Sequence, residues 1–304
     1  MAGPRHCGGR RQVTHPVWRS LLYVPAHIEK FVASAHTRGA DAIILDLEDA
    51  VPPAEKAAAR GLVAQAAASV GQAGADVLVR INGAPDMAEA DIDAAVGASV
   101  AALYLPKVES ADEVRRLAQR IAAAEARGGL SEGHTRLVVL IESARGWLRM
   151  DEIAGADPRL VALSLGTEDF CADVGMEPSE DTLMGPKQQL IITAKAHGLM
   201  AFGVVGVNTN FADREAYLAM ARRSRAFGYD GSSAIHPTQV SLLNDAFSPT
   251  PEEVVHARRI VDGAVEAEAE GKGAFAIDGK MIDAPIVARA QALLDRAAAI
   301  AARG

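Results

Sequence analysis

The stretch LVVLIESARGW at 137–147, followed after a short helical connection by LVALSLGTEDF at 160–170, decides how the chain folds. Each half opens on a nearly unbroken apolar run, 137–141 and 160–165. Short apolar runs bounded by turn signals read as strands buried on both faces, as parallel strands covered by helices are. Each run ends at a carboxylate: Glu142 follows the first directly, and Glu168 and Asp169 follow the second after a Gly-Thr turn. One such ending is explained as a cap on the following helix. Two in succession, on parallel neighbours, bring hard oxygen ligands to one carboxyl-terminal rim, where a magnesium ion is the natural guest.

Working outward, strand-like segments stand at 20–24, 42–47, 76–81, 101–105, 137–141, 160–165, 201–205 and 230–234. Helical patterns separate them at 28–38, 53–68, 87–96, 111–127, 148–154, 185–197 and 214–227, with one more at 237–245. Eight alternating units predict an α/β chain folded as a (β/α)8 TIM barrel over residues 19–250, with a doubly wound open sheet as the alternative. Residues 1–18 carry Arg, Gly and Pro without an apolar core, which reads as a disordered N-terminal tail rather than a signal peptide. Residues 251–304 form a C-terminal helical extension and lid. It comprises a helix at 251–270, a Gly-rich turn, a mobile loop at 278–283 and an alanine-rich last helix opened by Pro285.

Composition narrows the function. A chain of 304 residues with 49% apolar side chains has ample material for a core, and its net charge of −8 offers no field for nucleic acid or an acidic membrane surface. No apolar run reaches membrane-spanning length. The two cysteines, Cys7 and Cys171, are too few and too separated for a disulfide framework or a zinc site. The expectation is a cytoplasmic enzyme of small-molecule metabolism.

The residues just past each strand sharpen this. Strand two is followed by Glu48 and Asp49, strand three ends in Arg80, strand four in Lys107, strand five in Glu142, strand six in Glu168 and Asp169, strand eight in His236. An Arg, a Lys and several acids at one rim exceed what helix capping requires. Arg80 presents a planar, permanently charged fork suited to a carboxylate or a developing enolate oxygen. The competing reading is an ion pair with Glu48 or Asp49, which would orient Arg80 or bind metal through water.

Several motifs in order carry a family resemblance from Arg19 to about Ala290. They are RSLLYVP at 19–25, LDLEDAV at 45–51, VRIN at 79–82, LPKV at 105–108, IES at 141–143, GTED at 166–169, AIHP at 234–237 and DGKMID at 278–283. In these the chain resembles the citrate lyase β-subunit-like enzymes, malyl-CoA and citramalyl-CoA lyases among them, in the aldolase/citrate lyase superfamily. The resemblance implies Mg2+ (with Mn2+ able to replace it) held by Glu142 and Asp169, with Arg80 beside the metal. It implies coenzyme A, as part of the acyl-CoA substrate, contacted by Tyr23, Lys30, Arg80, Lys107, Ile235 and His236. Catalytic roles fall to Arg80, Glu48, Asp49 and Asp283, the last supplied by a neighbouring subunit's lid in a homotrimer or hexamer. The implied reaction is reversible, Claisen-type cleavage of a 3-hydroxy dicarboxylic acyl-CoA to acetyl-CoA and a 2-oxo acid. Its alternatives are a malyl-CoA thioesterase, a citryl-acyl carrier protein lyase β subunit and a CoA-independent pyruvate aldolase.

Overall fold

The computed structural model describes residues 15–208 and 212–303. The first half of the chain alternates β1 (Ser20–Pro25), α1 (Glu29–Ala35), β2 (Ala42–Asp46), α2 (Lys56–Gly71), β3 (Asp76–Arg80), α3 (Pro85–Ala95), β4 (Ala102–Leu105) and α4 (Ala111–Arg127). The second continues with β5 (Arg136–Ile141), α5 (Ala144–Leu148), α6 (Met150–Ala154), β6 (Leu160–Leu165), α7 (Thr167–Val174), α8 (Glu180–Ala196), β7 (Met200–Phe202), α9 (Arg214–Phe227), β8 (Ser232–Ala234) and α10 (Thr238–Ala246). The eight strands are parallel and neighbour one another in chain order from β7 back to β1, with β8 beside β1. A bridge between Phe202 and Gly231 closes the circle. This is a TIM barrel, and sequential order with closure excludes the doubly wound alternative.

Alternation along the strands sorts the core. Leu21, Ile44, Leu78, Tyr104, Val138, Ala162 and Phe202 fill the barrel interior, while Ile43, Leu45, Val79, Leu103, Val139 and Leu163 face the helices. Trp18 closes the floor at 1% exposure, its indole N–H donating to Asp76 Oδ2 at 2.7 Å. Val17 is buried too, so the residues 1–18 expected as a tail end in core packing; residues 1–14 lie outside the described residues.

Beyond the barrel come α11 (Pro251–Ala269), β9 (Phe275–Ile277), β10 (Lys280–Ile282) and α12 (Ala284–Arg303). The loop expected at 278–283 is instead part of a hairpin: Asp278 and Gly279 both take positive φ, 50° and 75°, which is what a tight two-residue turn between β9 and β10 requires. Arg296 donates to the Asp230 carbonyl at 2.9 Å, and Arg303 binds Asp76 Oδ2 at 2.9 Å together with the carbonyls of Asp41 and Gly74. Those partners stand at the starts of β8, β2 and β3, so α12 is tied to the amino-terminal end of the barrel, opposite the rim that carries the acids. No helix among the described residues is long and apolar enough to cross a membrane.

Candidate active site

The register of β2 and β3 sets Asp46 directly beside Arg80. The guanidinium grips that carboxylate with both edges, Nε to Oδ1 at 2.8 Å and Nη2 to Oδ2 at 2.6 Å. Its Nη1 donates to Asp49 Oδ2 at 3.2 Å and lies 2.9 Å from Glu48 Oε2, an ion-pair contact without hydrogen-bond alignment. The guanidinium also lies over the Tyr23 ring, 4.9 Å from its centroid. The ion-pair reading of Arg80 therefore holds, with Asp46 as its main partner. Of five N–H donors at least one remains for a ligand. Burial opposes the charge, but Asp46, Glu48 and the Tyr23 oxygen hold the guanidinium firmly protonated.

Lys107 links this cluster to Glu142. Its Nζ donates to Glu48 Oε1 at 2.7 Å, while its backbone N–H donates to Glu142 Oε2 at 2.7 Å. The residue takes positive φ, 55°, an uncommon conformation for a lysine and one to look for at a functional site. Burial pushes the Glu48 carboxyl up, against the pull of Lys107 and Arg80. Partial burial is the largest single influence on Asp49 and works against its charge, but Arg80, Glu48 and Lys107 together outweigh it and hold that carboxyl low.

Glu142 follows β5 and faces the turn after β6, where the Gly166 N–H donates to the Ile141 carbonyl at 2.9 Å. A Cβ on Gly166 would lie 2.4 Å from Glu142 Oε1, so only glycine lets the carboxylate stand there. Glu142 is 4% exposed, and its carboxyl is pushed up to about 7. Burial is the largest cause; Glu48 and Asp169 add to it, and the Lys107 N–H and Arg80 oppose it. Asp169, in the first turn of α7, lines the same cavity of about 500 Å³, as do Tyr23, Asp49, Arg80 and Ile235.

These residues fit a divalent cation. A buried carboxylate that burial and neighbouring acids keep near neutrality is one that a positive ion would ionise. Among the described residues no group of three or more His, Cys, Asp or Glu converges as a closed cage. Two carboxylates with the remaining positions left to water and substrate are what Mg2+ uses, and oxygen-only donors select it over softer metals.

Not every residue expected here arrives. Lys30 is exposed on α1 and does not line the cavity. His236 stands beside Ile235 at the start of α10, its Nδ1 2.8 Å from Thr238 Oγ1, and is likewise outside the lining. Asp283 caps α12 through the Ile286 N–H and is absent from its own cavity. Two buried lining residues, Lys187 and Tyr229, escape the sequence reading. The signal for Lys187 was its spacing: it shares a helical face with Leu183, Leu190, Ile191 and Ala194, all buried.

Fold and site together define a barrel enzyme with an acid pair and an arginine at its carboxyl-terminal rim. Residues 19–237 match the HpcH/HpaI aldolase/citrate lyase model, and the chain belongs to that family and is an enzyme of the lyase type. It is 36% identical over 282 residues to the citrate lyase subunit beta of Haemophilus influenzae, covering 92% of this chain and 96% of that one. It is 34% identical over 291 residues to the (3S)-malyl-CoA thioesterase of Cereibacter sphaeroides, covering 95% and 97%. Among solved structures it resembles the CitE protein of Mycobacterium tuberculosis in complex with magnesium, acetoacetate and coenzyme A. That match has a TM-score of 0.71 and 32% identity, covering 92% of this chain and 97% of that one.

Proposed function

We propose that the protein is a Mg2+-dependent carbon–carbon lyase. Its substrate is a 3-hydroxyacyl-CoA whose carbinol carbon bears a carboxylate, the class of malyl-, citramalyl- and citryl-CoA, and its products are acetyl-CoA and a 2-oxo acid. The observation that carries the reading is the meeting of Glu142, Asp169 and Arg80 on one cavity. The relative solved with magnesium and coenzyme A supports it.

Glu142 and Asp169 would hold the metal. When bound, Mg2+ supplies Lewis acidity to the substrate hydroxyl and its neighbouring carboxylate. The bond between the carbinol carbon and the methylene next to the thioester breaks, its electron pair moves onto the thioester oxygen, and the hydroxyl proton passes to Asp49, the carboxylate that lines the cavity beside Arg80. Arg80, locked in orientation by Asp46 and Glu48, directs its remaining N–H at that developing enolate charge without reorganising during the step. Lys107 positions both Glu48 and Glu142, so its strained backbone ties the cation site to the Arg80 cluster. One proton delivered to the enolate carbon completes acetyl-CoA. Asp283 is the assigned donor. Because Asp283 does not line the cavity of its own barrel, it would serve a neighbouring copy in a homotrimer or hexamer.

The (3S)-malyl-CoA thioesterase relative favours a second reading, in which water attacks the same polarised thioester. One assay separates them: the purified protein and its Asp169→Asn variant with malyl-, citramalyl- and citryl-CoA, with and without Mg2+. Metal-dependent appearance of acetyl-CoA with a 2-oxo acid, lost in the variant, is expected. Free CoA without an oxo acid moves the assignment to the thioesterase, and turnover unaffected by chelator or by the variant overturns both.

A further inference from the structure

One buried side chain joins two of the loops that frame the cavity and has no part in the reaction above. Gln239, the second residue of α10, is fully buried. Its Oε1 accepts two backbone N–H groups, from Ile235 at 2.8 Å and His236 at 3.0 Å, in the loop after β8. Peptide N–H groups can only donate, so the orientation of the amide is fixed and Nε2 must face the other way. There it donates to both the carbonyl and the Oδ1 of Asn208, each at 3.0 Å, in the loop after β7. Asn208 in turn donates from Nδ2 to the Ser233 carbonyl at 2.8 Å, and its Oδ1 also accepts from the Tyr217 hydroxyl at 2.7 Å. Every polar atom of the two side-chain amides is thus engaged, across 31 residues of chain.

The competing reading is that Gln239 only caps its own helix. Pro237 at the N-cap makes no side-chain hydrogen bond, and a glutamine reaching back to N–H groups ahead of a helix is a common capping arrangement. Capping accounts for Oε1 alone. It leaves the two bonds from Nε2 to Asn208 without purpose, and in that role a glutamate serves as well as a glutamine. What the full network secures is the lip of the cavity, which Asn208 and Ile235 both line. Of the exposed lining residues, Asp49, Glu168 and Asp169 are acids, whereas Ile235, 48% exposed, is the one large apolar side chain. Pro25 of the neighbouring β1 continues this uncharged stretch. On the lyase reading, on which this inference rests, the coenzyme A arm leaves the cavity over its lip. The arm ends in phosphates, so the acidic side repels it and the uncharged side beside β8 and β1 receives it. We propose that Gln239 is a positioning residue for the thioester arm: by clamping the loops after β7 and β8 together, it holds Ile235 where the coenzyme A chain crosses the lip.

The test is calorimetric binding of CoA, and separately of the 2-oxo acids pyruvate, glyoxylate and oxaloacetate in saturating Mg2+, to the full-length wild type, Gln239→Glu and Tyr217→Phe, with thermal unfolding of each. Gln239→Glu keeps an acceptor for the two peptide N–H groups but sets its second oxygen against the two oxygens of Asn208, so it opens the clamp and spares the cap. It should weaken CoA about tenfold or more and leave the 2-oxo acids within about twofold of wild type, because the network contains none of Glu142, Asp169 and Arg80. In turnover the same split is a raised KM for the acyl-CoA with kcat nearly unchanged. If Gln239→Glu fails to fold, Tyr217→Phe decides: it removes one donor from Asn208 Oδ1 and should weaken CoA about three- to fivefold, with the 2-oxo acids again spared. A folded Gln239→Glu protein that binds CoA like the wild type reduces the residue to a helix cap and overturns the proposal, as does equal weakening of both kinds of ligand. A wild type that binds a 2-oxo acid with Mg2+ but no CoA overturns the proposal and leaves the metal chemistry standing. A wild type that binds CoA but no 2-oxo acid sinks the lyase reading instead, and selective loss of CoA in Gln239→Glu then still upholds the clamp.

Discussion

Replacing Glu142 by Gln should make the metal-free protein more stable at pH 8, although it removes a group assigned to the site. The folded-state pKa near 7 lies above the ordinary value of 4.5, so the fold prefers the protonated acid. The stability this preference contributes is fully present below pH 4.5 and is lost as the pH rises through about 7. At 1.36 kcal/mol per unit the loss by pH 8 is about 3 kcal/mol, and burial of the carboxylate leaves little solvent screening to discount. Glutamine occupies the same volume and cannot ionise, but it weakens the bond from the Lys107 N–H by about 1 kcal/mol. The net gain is about 2 kcal/mol. For 304 residues the unfolding entropy is about 0.6 kcal/mol per kelvin, so the melting temperature rises by about 3 °C. Thermal unfolding in EDTA should show this rise at pH 8 and none at pH 5. Adding Mg2+ should raise the wild type with ligand concentration and leave the variant nearly unmoved. A variant less stable than wild type in EDTA at pH 8, or one that Mg2+ stabilises equally, would refute the assignment of Glu142 as a strained acid awaiting a cation.

Three further outcomes follow from the same geometry. Gly166→Ala places a Cβ 2.4 Å from Glu142 Oε1 and should weaken Mg2+ binding by calorimetry at least tenfold, with about 1–3 kcal/mol of lost stability in chemical unfolding. Arg80→Lys keeps the charge but loses the two-edged grip on Asp46; it should lower kcat/KM about hundredfold and stability by about 2 kcal/mol, read by steady-state kinetics and denaturant unfolding. Asp169→Asn and Asp283→Asn should each be inactive alone, and coexpression of the two should restore part of the activity if Asp283 acts in a neighbouring copy; no recovery in purified mixed assemblies counts against donation between subunits.

How much of this was legible in the sequence depends on where each residue's partners lie. The strands were legible because burial on both faces needs uninterrupted apolar runs, and the acids at 142 and 169 because each follows such a run. Segment 166–184 was not. Gly166-Thr167-Glu168-Asp169 reads as a turn, but Gly166 is the N-cap of α7, and α8 begins at Glu180 on a Ser179–Thr182 capping box that lacks the usual Glu or Gln. The helix then runs through Pro186 and so begins at Glu180, ahead of the 185–197 pattern expected from the sequence. Asp278-Gly279 is a strong hairpin signal, yet its two strands have only three residues each and are held by packing on α11 and α12, which the local sequence does not display.

Asp283 shows the same limit at a longer range. Its motif marks it as chemical, but its place follows from two arginines, Arg296 and Arg303, that anchor α12 to the floor of the barrel. With the helix held there, the hairpin packs against α11 and α12, and the cavity at the opposite rim is lined without it. On the proposed reaction, an acid that does not line the cavity of its own barrel would have to act in a second copy. The anchoring arginines are therefore as much a part of the proposed proton delivery as the acid itself, because releasing them would let the hairpin leave the orientation that a neighbour has to meet.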